Sequence, residues 1–171
     1  MQFKLVPEPP ESLDFVADAQ RAVPLVPGSE DDCCARMLDR TDLSSRDQAR
    51  TWLTFLRALG LAEEGSSGFT RTRQDPESEF LQERFREHVF GVPAVLEILA
   101  KAEEPLSAEE VFEEFRDEVP TWEHHKNPNS WEEIWGERVA YLLEWSALLG
   151  LAERVGAKYA PGGDDEEYVS G

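Results

Sequence analysis

The sequence is poor in cysteine and contains no long apolar run, and these scarcities exclude several classes of protein. Its two cysteines, Cys33 and Cys34, are adjacent. Neighbouring thiols make neither a disulfide framework nor a zinc site, so we expect two small buried side chains on a helix. No stretch approaches the roughly 20 apolar residues of a membrane span, and the N-terminal residues lack the apolar core of a signal peptide. We therefore expect no membrane association and a cytoplasmic location.

The common catalytic and metal-binding motifs are also missing from the sequence. It has no Gly-rich phosphate loop, nucleophile elbow or Cys/His zinc pattern. His124 and His125 follow Glu123 in a predicted surface loop, but helical metal ligands need i, i+4 spacing rather than adjacent positions. We expect no metal, cofactor or catalytic residue and hence a non-enzymatic protein. An enzyme with a site between the two halves of the chain is the distant alternative.

The charge balance is strongly acidic, with 36 Asp and Glu against 17 Lys and Arg and a net charge of −19. Such a charge destabilises a compact chain by self-repulsion, but at about 1 M salt the screening length is only ~3 Å. Scattered acids with scarce lysine resemble the proteins of salt-loving archaea, whose cytosol is concentrated KCl. This predicts surface adaptation to salt; the alternative is an acidic mimic of nucleic acid.

A pentapeptide repeat indicates an internal duplication. LGLAE occupies residues 59–63 and recurs at 149–153, ninety positions later. Further aromatic and apolar positions match at the same offset, namely Trp52 with Leu142, Phe55 with Trp145 and Phe69 with Tyr159. Both copies therefore contain an apolar helical stripe, a glycine, a short Leu-Ala-Glu run and an aromatic residue after a turn.

The first copy reads as a helix followed by a hairpin. Four apolar residues recur at i, i+3, i+4 and i+7, namely Trp52, Phe55, Leu56 and Leu59. Ser45 and Gln48 have the spacing of a capping box that begins this helix, and Gly60 is placed to end it in a left-handed conformation. Residues 61–73 then predict two strands joined by a tight Gly-Ser turn.

The second copy has the same order. Ser130 and Glu133 have the capping-box spacing, and the apolar stripe comprises Trp131, Trp135, Leu142, Trp145 and Leu149. Gly150 ends this helix, and residues 151–160 predict a hairpin. In each copy two more helices precede it: 11–23 and one capped by Ser29 and Asp32 in the first, 93–102 and one capped by Ser107 and Glu110 in the second.

The order helix, helix, helix, hairpin, found twice, resembles winged helix-turn-helix proteins in tandem. The resemblance implies a mainly α fold with short β-hairpin wings. It implies a first winged-helix domain at 10–74, a linker helix at 75–91, a second domain at 92–161 and a disordered acidic tail at 162–171. The second copy departs from the pattern, because residues 120–130 lengthen its turn beyond the usual 3–4 residues. The alternative is an all-α bundle with two incidental hairpins.

In helix-turn-helix proteins the last helix enters the major groove, and positive side chains there contact phosphates and base edges. Arg46, Arg50 and Arg57 lie within about 40° of one another on the third helix, away from its apolar stripe. The predicted DNA-binding residues are Arg46, Arg50, Arg57, Ser45, Gln48, Thr51, Arg71 and Arg73, with Arg71 and Arg73 on the wing. The predicted partner is double-stranded DNA.

Other readings of the same arginines stay open. An exposed helix face is normally charged, and Arg50 can pair with Asp47 on its own helix. Alternation along the strand places Arg71 and Arg73 on the side of Phe69, a candidate core residue. Phosphate contacts also weaken steeply with salt, so binding in molar KCl requires base contacts, shape complementarity and dimerisation.

The second copy has lost these arginines. The positions that match those of the third helix are Gly136, Ala140 and Ala147, a small-residue face that allows another backbone to come close. This predicts an interface with a second protomer or a protein partner, with packing inside the chain as the alternative. The sequence thus predicts a DNA-binding regulator that uses its first domain; the alternative is a non-catalytic protein–protein adaptor.

Overall fold

A computed structural model describes residues 3–162. The chain divides into two compact units, Met1–Val89 and Phe90–Gly171. Of the predicted acidic tail at 162–171, all but the first residue lies outside the described part.

The first unit contains four helices and one hairpin within its described residues. They are α1 (Asp14–Ala22), α2 (Glu30–Arg40), α3 (Arg46–Ala58), β1 (Ala62–Gly65), β2 (Gly68–Arg71) and α4 (Ser78–His88). The strands are antiparallel, with Ala62 opposite Arg71 and Gly65 opposite Gly68. Helix α4, which falls in the segment predicted as a linker, belongs to this unit.

Helix α3 begins and ends where its sequence predicts. The Ser45 hydroxyl accepts a hydrogen bond from the Gln48 amide at 3.1 Å. The return bond of the predicted capping box is shifted by one residue, because the side-chain Oε1 of Gln48 accepts from the Ser44 backbone amide at 2.9 Å. Gly60, with φ of 77°, takes the left-handed conformation just past the end of the helix.

The end of α3 is also bound by α4. Arg84 donates from Nε to the Ala58 carbonyl at 3.2 Å and from Nη2 to the Arg57 carbonyl at 3.3 Å. These bonds supply side-chain donors to carbonyl groups of the last helical turn, where the regular helical hydrogen bonds end; the Arg57 carbonyl also accepts from the Gly60 amide at 3.1 Å. The Phe55 and Phe85 rings pack edge to face at 6.3 Å, so α3 and α4 share one core.

The second unit repeats the order helix, helix, helix, hairpin of the first, with an additional short helix before its last one. Its elements are α5 (Val92–Lys101), α6 (Ala108–Phe115), a 3-10 turn (Arg116–Glu118), α7 (Thr121–Lys126), α8 (Trp131–Leu149), β3 (Ala152–Val155) and β4 (Lys158–Pro161). Gly150, with φ of 85°, ends α8 as predicted. The mainly α class with two short antiparallel hairpins is therefore confirmed.

The two predicted helix caps of this unit have different outcomes. At α6 the box is complete, because the Ser107 amide donates to Glu110 Oε1 at 2.9 Å and the Glu110 amide donates to Ser107 Oγ at 3.1 Å. The capping predicted for Ser130 is wrong. Its side chain makes no capping bond, since its φ and ψ of −137° and 0° depart from the extended conformation of a capping serine.

The insertion at 120–130 is more ordered than the loop that we predicted. Residues Thr121–Lys126 form α7, in which Glu123 is only 6% exposed. The His124 ring stacks on Trp131 with a centroid distance of 3.8 Å, which makes His124 a packing residue rather than a surface loop residue.

Candidate nucleic-acid interface

Helix α3 has one buried side and one exposed polar side in its first half. Its buried residues are Ala49, Trp52, Leu53, Phe55, Leu56 and Ala58. Ser45, Arg46, Gln48 and Arg50 are exposed, whereas Thr51 is half-buried. The Thr51 hydroxyl donates to the Asp47 carbonyl at 3.0 Å, which directs it to its own helix. The first turns of α3 therefore present two arginines and a glutamine to solvent.

Arg46 and Arg50 are paired with carboxylates. Arg46 contacts Asp31 through Nη2, and the Arg50 Nε lies 3.8 Å from Glu30 Oε1. Arg50 also pairs with Asp47 at 3.3 Å within α3. Both arginine side chains remain nearly half exposed, at 47% and 46%. Exposed ion pairs of this kind contribute only ~0–1 kcal/mol to stability. An anion that binds the guanidinium more tightly can therefore replace the carboxylate.

Arg57 lies in a different environment from Arg46 and Arg50. Its Nη1 is 3.2 Å from Glu64 Oε1 on β1, and its side chain is 28% exposed. The guanidinium carbon lies 5.6 Å from the centre of the Phe3 ring. The structure thus brings Arg46 and Arg50 together at α2 and holds Arg57 against the hairpin.

The two wing arginines also separate. Arg71 Nε donates to the Val23 carbonyl at 3.0 Å, which directs the side chain to the end of α1. Arg73 is exposed and lines an open cavity together with Arg57, Glu63, Glu64 and Arg84. The neighbouring Phe69 is buried, and its amide and carbonyl both bond to Gly28. Of the two wing arginines, Arg73 is therefore the exposed one, and Arg71 is half-buried.

The acidic first turn of α2 escaped the sequence analysis as part of this site. Glu30, Asp31 and Asp32 occupy that turn, where carboxylates interact favourably with the helix dipole. Two of them reach the arginines of α3, although fifteen or more residues separate the partners in the chain. The signal in the sequence was the acidic run at the start of α2, the helix that precedes α3.

The adjacent cysteines are buried, as predicted, with exposed fractions of 0% for Cys33 and 1% for Cys34. Burial raises the pKa of both thiols, and the neighbouring thiol raises that of Cys33 further. Glu30 adds to the rise at Cys34, while Arg50 opposes it. A raised pKa keeps both groups protonated at neutral pH, which suits a packing role.

The small-residue face of the second unit lies on α8. A Cβ atom added to Gly136 would meet nothing within 4 Å. Ala140 and Ala147 are half-buried. The backbone at Gly136 is therefore accessible to another chain.

Within residues 3–162, no group of three or more His, Cys, Asp or Glu side chains is arranged to hold a metal ion. In the same part of the chain, no helix combines the length and apolar character needed to cross a bilayer.

Comparison with known proteins identifies one family. The family model described as the halobacterial double winged helix domain matches residues 1–165. No curated protein and no solved structure was found to match.

Proposed function

Since the chain belongs to the family of halobacterial double winged helix domains, we propose that it is a regulator that binds duplex DNA through its first unit. The observation that carries the proposal is the exposed first half of α3, with Arg46, Gln48 and Arg50 on its solvent side. Helix-turn-helix proteins contact base edges with the N-terminal residues of this helix.

The side chains of α3 have distinct roles in this proposal. Arg46 and Arg50 exchange their carboxylate partners for phosphates or for the acceptor edge of guanine, which a guanidinium binds in bidentate fashion. The side-chain amide of Gln48 hydrogen-bonds to the edge of an adenine. Where this contact uses Oε1, the hydrogen bond from the Ser44 amide is broken. Ser45 keeps its capping role, and Thr51 keeps its bond to the backbone.

Arg57 and Arg73 form a second group beside the wing. Both line the open cavity next to β1. Since Arg57 is paired with Glu64 and Arg73 is exposed, we assign the backbone phosphate contact primarily to Arg73. Arg71 supports the fold of the wing through Val23.

The test compares two variants that each remove two exposed cations. Arg46→Ala/Arg50→Ala alters the proposed interface, whereas Arg86→Ala/Lys101→Ala removes the same charge from α4 and α5. We expect chromatin crosslinking in high-salt cells to recover specific DNA sites with the wild type and the control, but not with the interface variant. Absence of enriched sites with the wild type would end the proposal.

A second pair of variants tests the carboxylates of α2. Glu30→Gln/Asp31→Asn releases the two arginines, whereas Glu79→Gln/Glu83→Gln neutralises two exposed acids of α4. We expect the α2 variant to bind duplex DNA more tightly than the α4 variant at the same KCl concentration. Equal affinities would mean that only total charge matters and that the arginines of α3 do not contact DNA.

The pairing of Arg46, Arg50 and Arg57 with acids favours a second candidate, a protein–protein adaptor. The first unit also has more acids than bases, seventeen against eleven. In this case carboxylates of a partner protein replace the acids that now pair with these arginines. Alternatively, a second copy of the chain packs on the face of Gly136, Ala140 and Ala147. Sedimentation of the pure chain detects self-association, and crosslinking without DNA enrichment favours this candidate.

A further inference from the structure

An arginine-lined cavity lies in the first unit, away from the polar face of α3. It is open to solvent, has a volume of about 440 Å³ and is bordered by α1, the end of α2 and β2. Its lining residues are Asp18, Arg21, Ala22, Arg40 and Arg71. Three arginines from three separate elements therefore line the cavity together with one carboxylate.

Each arginine reaches the cavity in a different state. Arg71 is anchored through Nε to the Val23 carbonyl at 3.0 Å, a bond that does not use its two terminal amino groups. Arg21 is paired with Asp18. Arg40 is the exposed last residue of α2, and its side chain has no hydrogen bond or ion pair with any residue from 3 to 162. The terminal amino groups of Arg71 are therefore fixed in position on one side of the cavity, and the guanidinium of Arg40 is available on another.

A fourth arginine strengthens the positive charge beside the cavity. Arg36 Nε donates to the Ala22 carbonyl at 2.7 Å. The end of a helix normally repels anions, because its last carbonyl groups carry partial negative charge. Here Arg36 and Arg71 bond the carbonyls of Ala22 and Val23, which offsets that repulsion.

The second unit shows that the fold itself does not require this charge. When the capping serines Ser29 and Ser107 are aligned, Arg36 and Arg40 correspond to Glu114 and Glu118. Both glutamates line a cavity beside α5 and α6. The acidic residues that line this cavity are Glu97, Glu103, Glu104, Glu110, Glu113, Glu114 and Glu118. The position of Arg40 is therefore occupied in the second unit by an acid, Glu118, that lines a mainly acidic cavity, so the fold accepts either charge at this position.

We propose that Arg21, Arg40 and Arg71 bind the phosphate group of a small phosphate ester free in solution. A guanidinium binds a phosphate oxyanion through two parallel hydrogen bonds, a geometry that chloride cannot match in concentrated KCl. The concave shape favours a small molecule over a DNA backbone, and the volume lies within the ~300–1,000 Å³ typical of ligand pockets. Asp18 competes with the ligand for Arg21.

The test is calorimetric titration of the full chain with inorganic phosphate at constant KCl concentration. We expect saturable binding to one site, weakened about tenfold by Arg40→Ala, since each lost charge-assisted bond changes affinity by about that factor. Asp18→Asn should tighten binding, because it releases Arg21 and removes the acid from the cavity. Arg86→Ala, which removes an exposed cation of α4, should leave the phosphate affinity unchanged.

Three ligands distinguish the source of the phosphate. A nucleoside triphosphate should compete with inorganic phosphate, and Arg40→Ala should weaken both while leaving duplex DNA affinity unchanged. Arg46→Ala/Arg50→Ala should retain phosphate binding, so failure of the DNA proposal would leave this result intact. Wild-type protein without saturable phosphate binding, equal affinity in Arg40→Ala, or loss of DNA binding alone in Arg40→Ala would each overturn the proposal.

Discussion

Replacing Gly136 by alanine tests whether the open space beside this residue of α8 is free of a partner. Gly136 lies within Trp131–Leu149, its φ is not positive, and an added Cβ would meet nothing within 4 Å. Glycine inside a helix is less favourable than alanine by roughly 0.5–1 kcal/mol, because it loses more backbone freedom on folding. We therefore expect Gly136→Ala to raise the free energy of unfolding by about that amount.

The assay is urea unfolding at fixed KCl concentration, followed by tryptophan fluorescence and far-UV circular dichroism. Gly60→Ala is the matched control, because the same methyl group is added where φ is 77° and the Cβ would lie 2.9 Å from Arg84 Nε. A left-handed conformation costs an L-residue roughly 1–2 kcal/mol, so this variant should be destabilised. Displacement of Arg84 from the carbonyls of α3 adds to the loss.

Two results would refute this reasoning about Gly136. A Gly136→Ala variant less stable than the wild type would mean that a neighbour occupies the space beside the glycine. A loss that grows with protein concentration would identify that neighbour as a second copy of the chain, since association makes stability depend on concentration. The same measurement thus separates an open face from the proposed interface.

Three further predictions concern the helix caps of the second unit and the buried cysteines of the first. Ser107→Ala should lower the free energy of unfolding by ~1 kcal/mol through loss of the helix cap. Ser130→Ala should change it little, because Ser130 makes no capping bond. Equal losses of stability in urea unfolding would contradict this prediction. The hydrogen bond from the Ser107 amide lowers the pKa of Glu110 below its ordinary value of 4.5, so its contribution is present above pH 4.5 and lost as pH falls through the lower folded value. Glu110→Gln should make the free energy of unfolding depend less on pH over that acidic range. An unchanged pH dependence would count against the capping box of Ser107 and Glu110. Cys33 and Cys34 should resist a thiol reagent at neutral pH until the chain unfolds, and rapid labelling of folded protein would show that they are accessible.

The repeated elements could be predicted because their signals are local. The apolar stripe of α3, the glycine after it and the hairpin all depend on neighbours in the sequence. Ser107 and Ser130 show the limit of such signals, since both precede a glutamate by three residues. Only Ser107 has the extended backbone that brings its hydroxyl to the helix, whereas the chain leaving α7 enters α8 with ψ of 0° at Ser130.

The Arg50–Asp47 pair within α3 was open to prediction from local spacing, whereas the pairs of α3 with α2 and with the hairpin were not, because they depend on how separate elements pack. The spacing of Arg46, Arg50 and Arg57 correctly describes one side of an isolated helix. It does not show that α2 brings Glu30 and Asp31 to the first two, or that the hairpin brings Glu64 to the third. Helix α7 was missed for another reason, since six residues are too few for a helical period to be recognised.

The carboxylate partners of Arg46 and Arg50 have a thermodynamic consequence for the proposed binding of DNA in concentrated KCl. When an unpaired cationic side chain binds a DNA phosphate, condensed potassium ions are released from the duplex. Added salt makes this release less favourable and so lowers the affinity. In the proposed complex with DNA, each arginine leaves Asp31 or Glu30, and the freed carboxylate takes up potassium in return. Uptake on the protein then offsets part of the release from the duplex, so affinity should decline less steeply with KCl than the number of phosphate contacts implies.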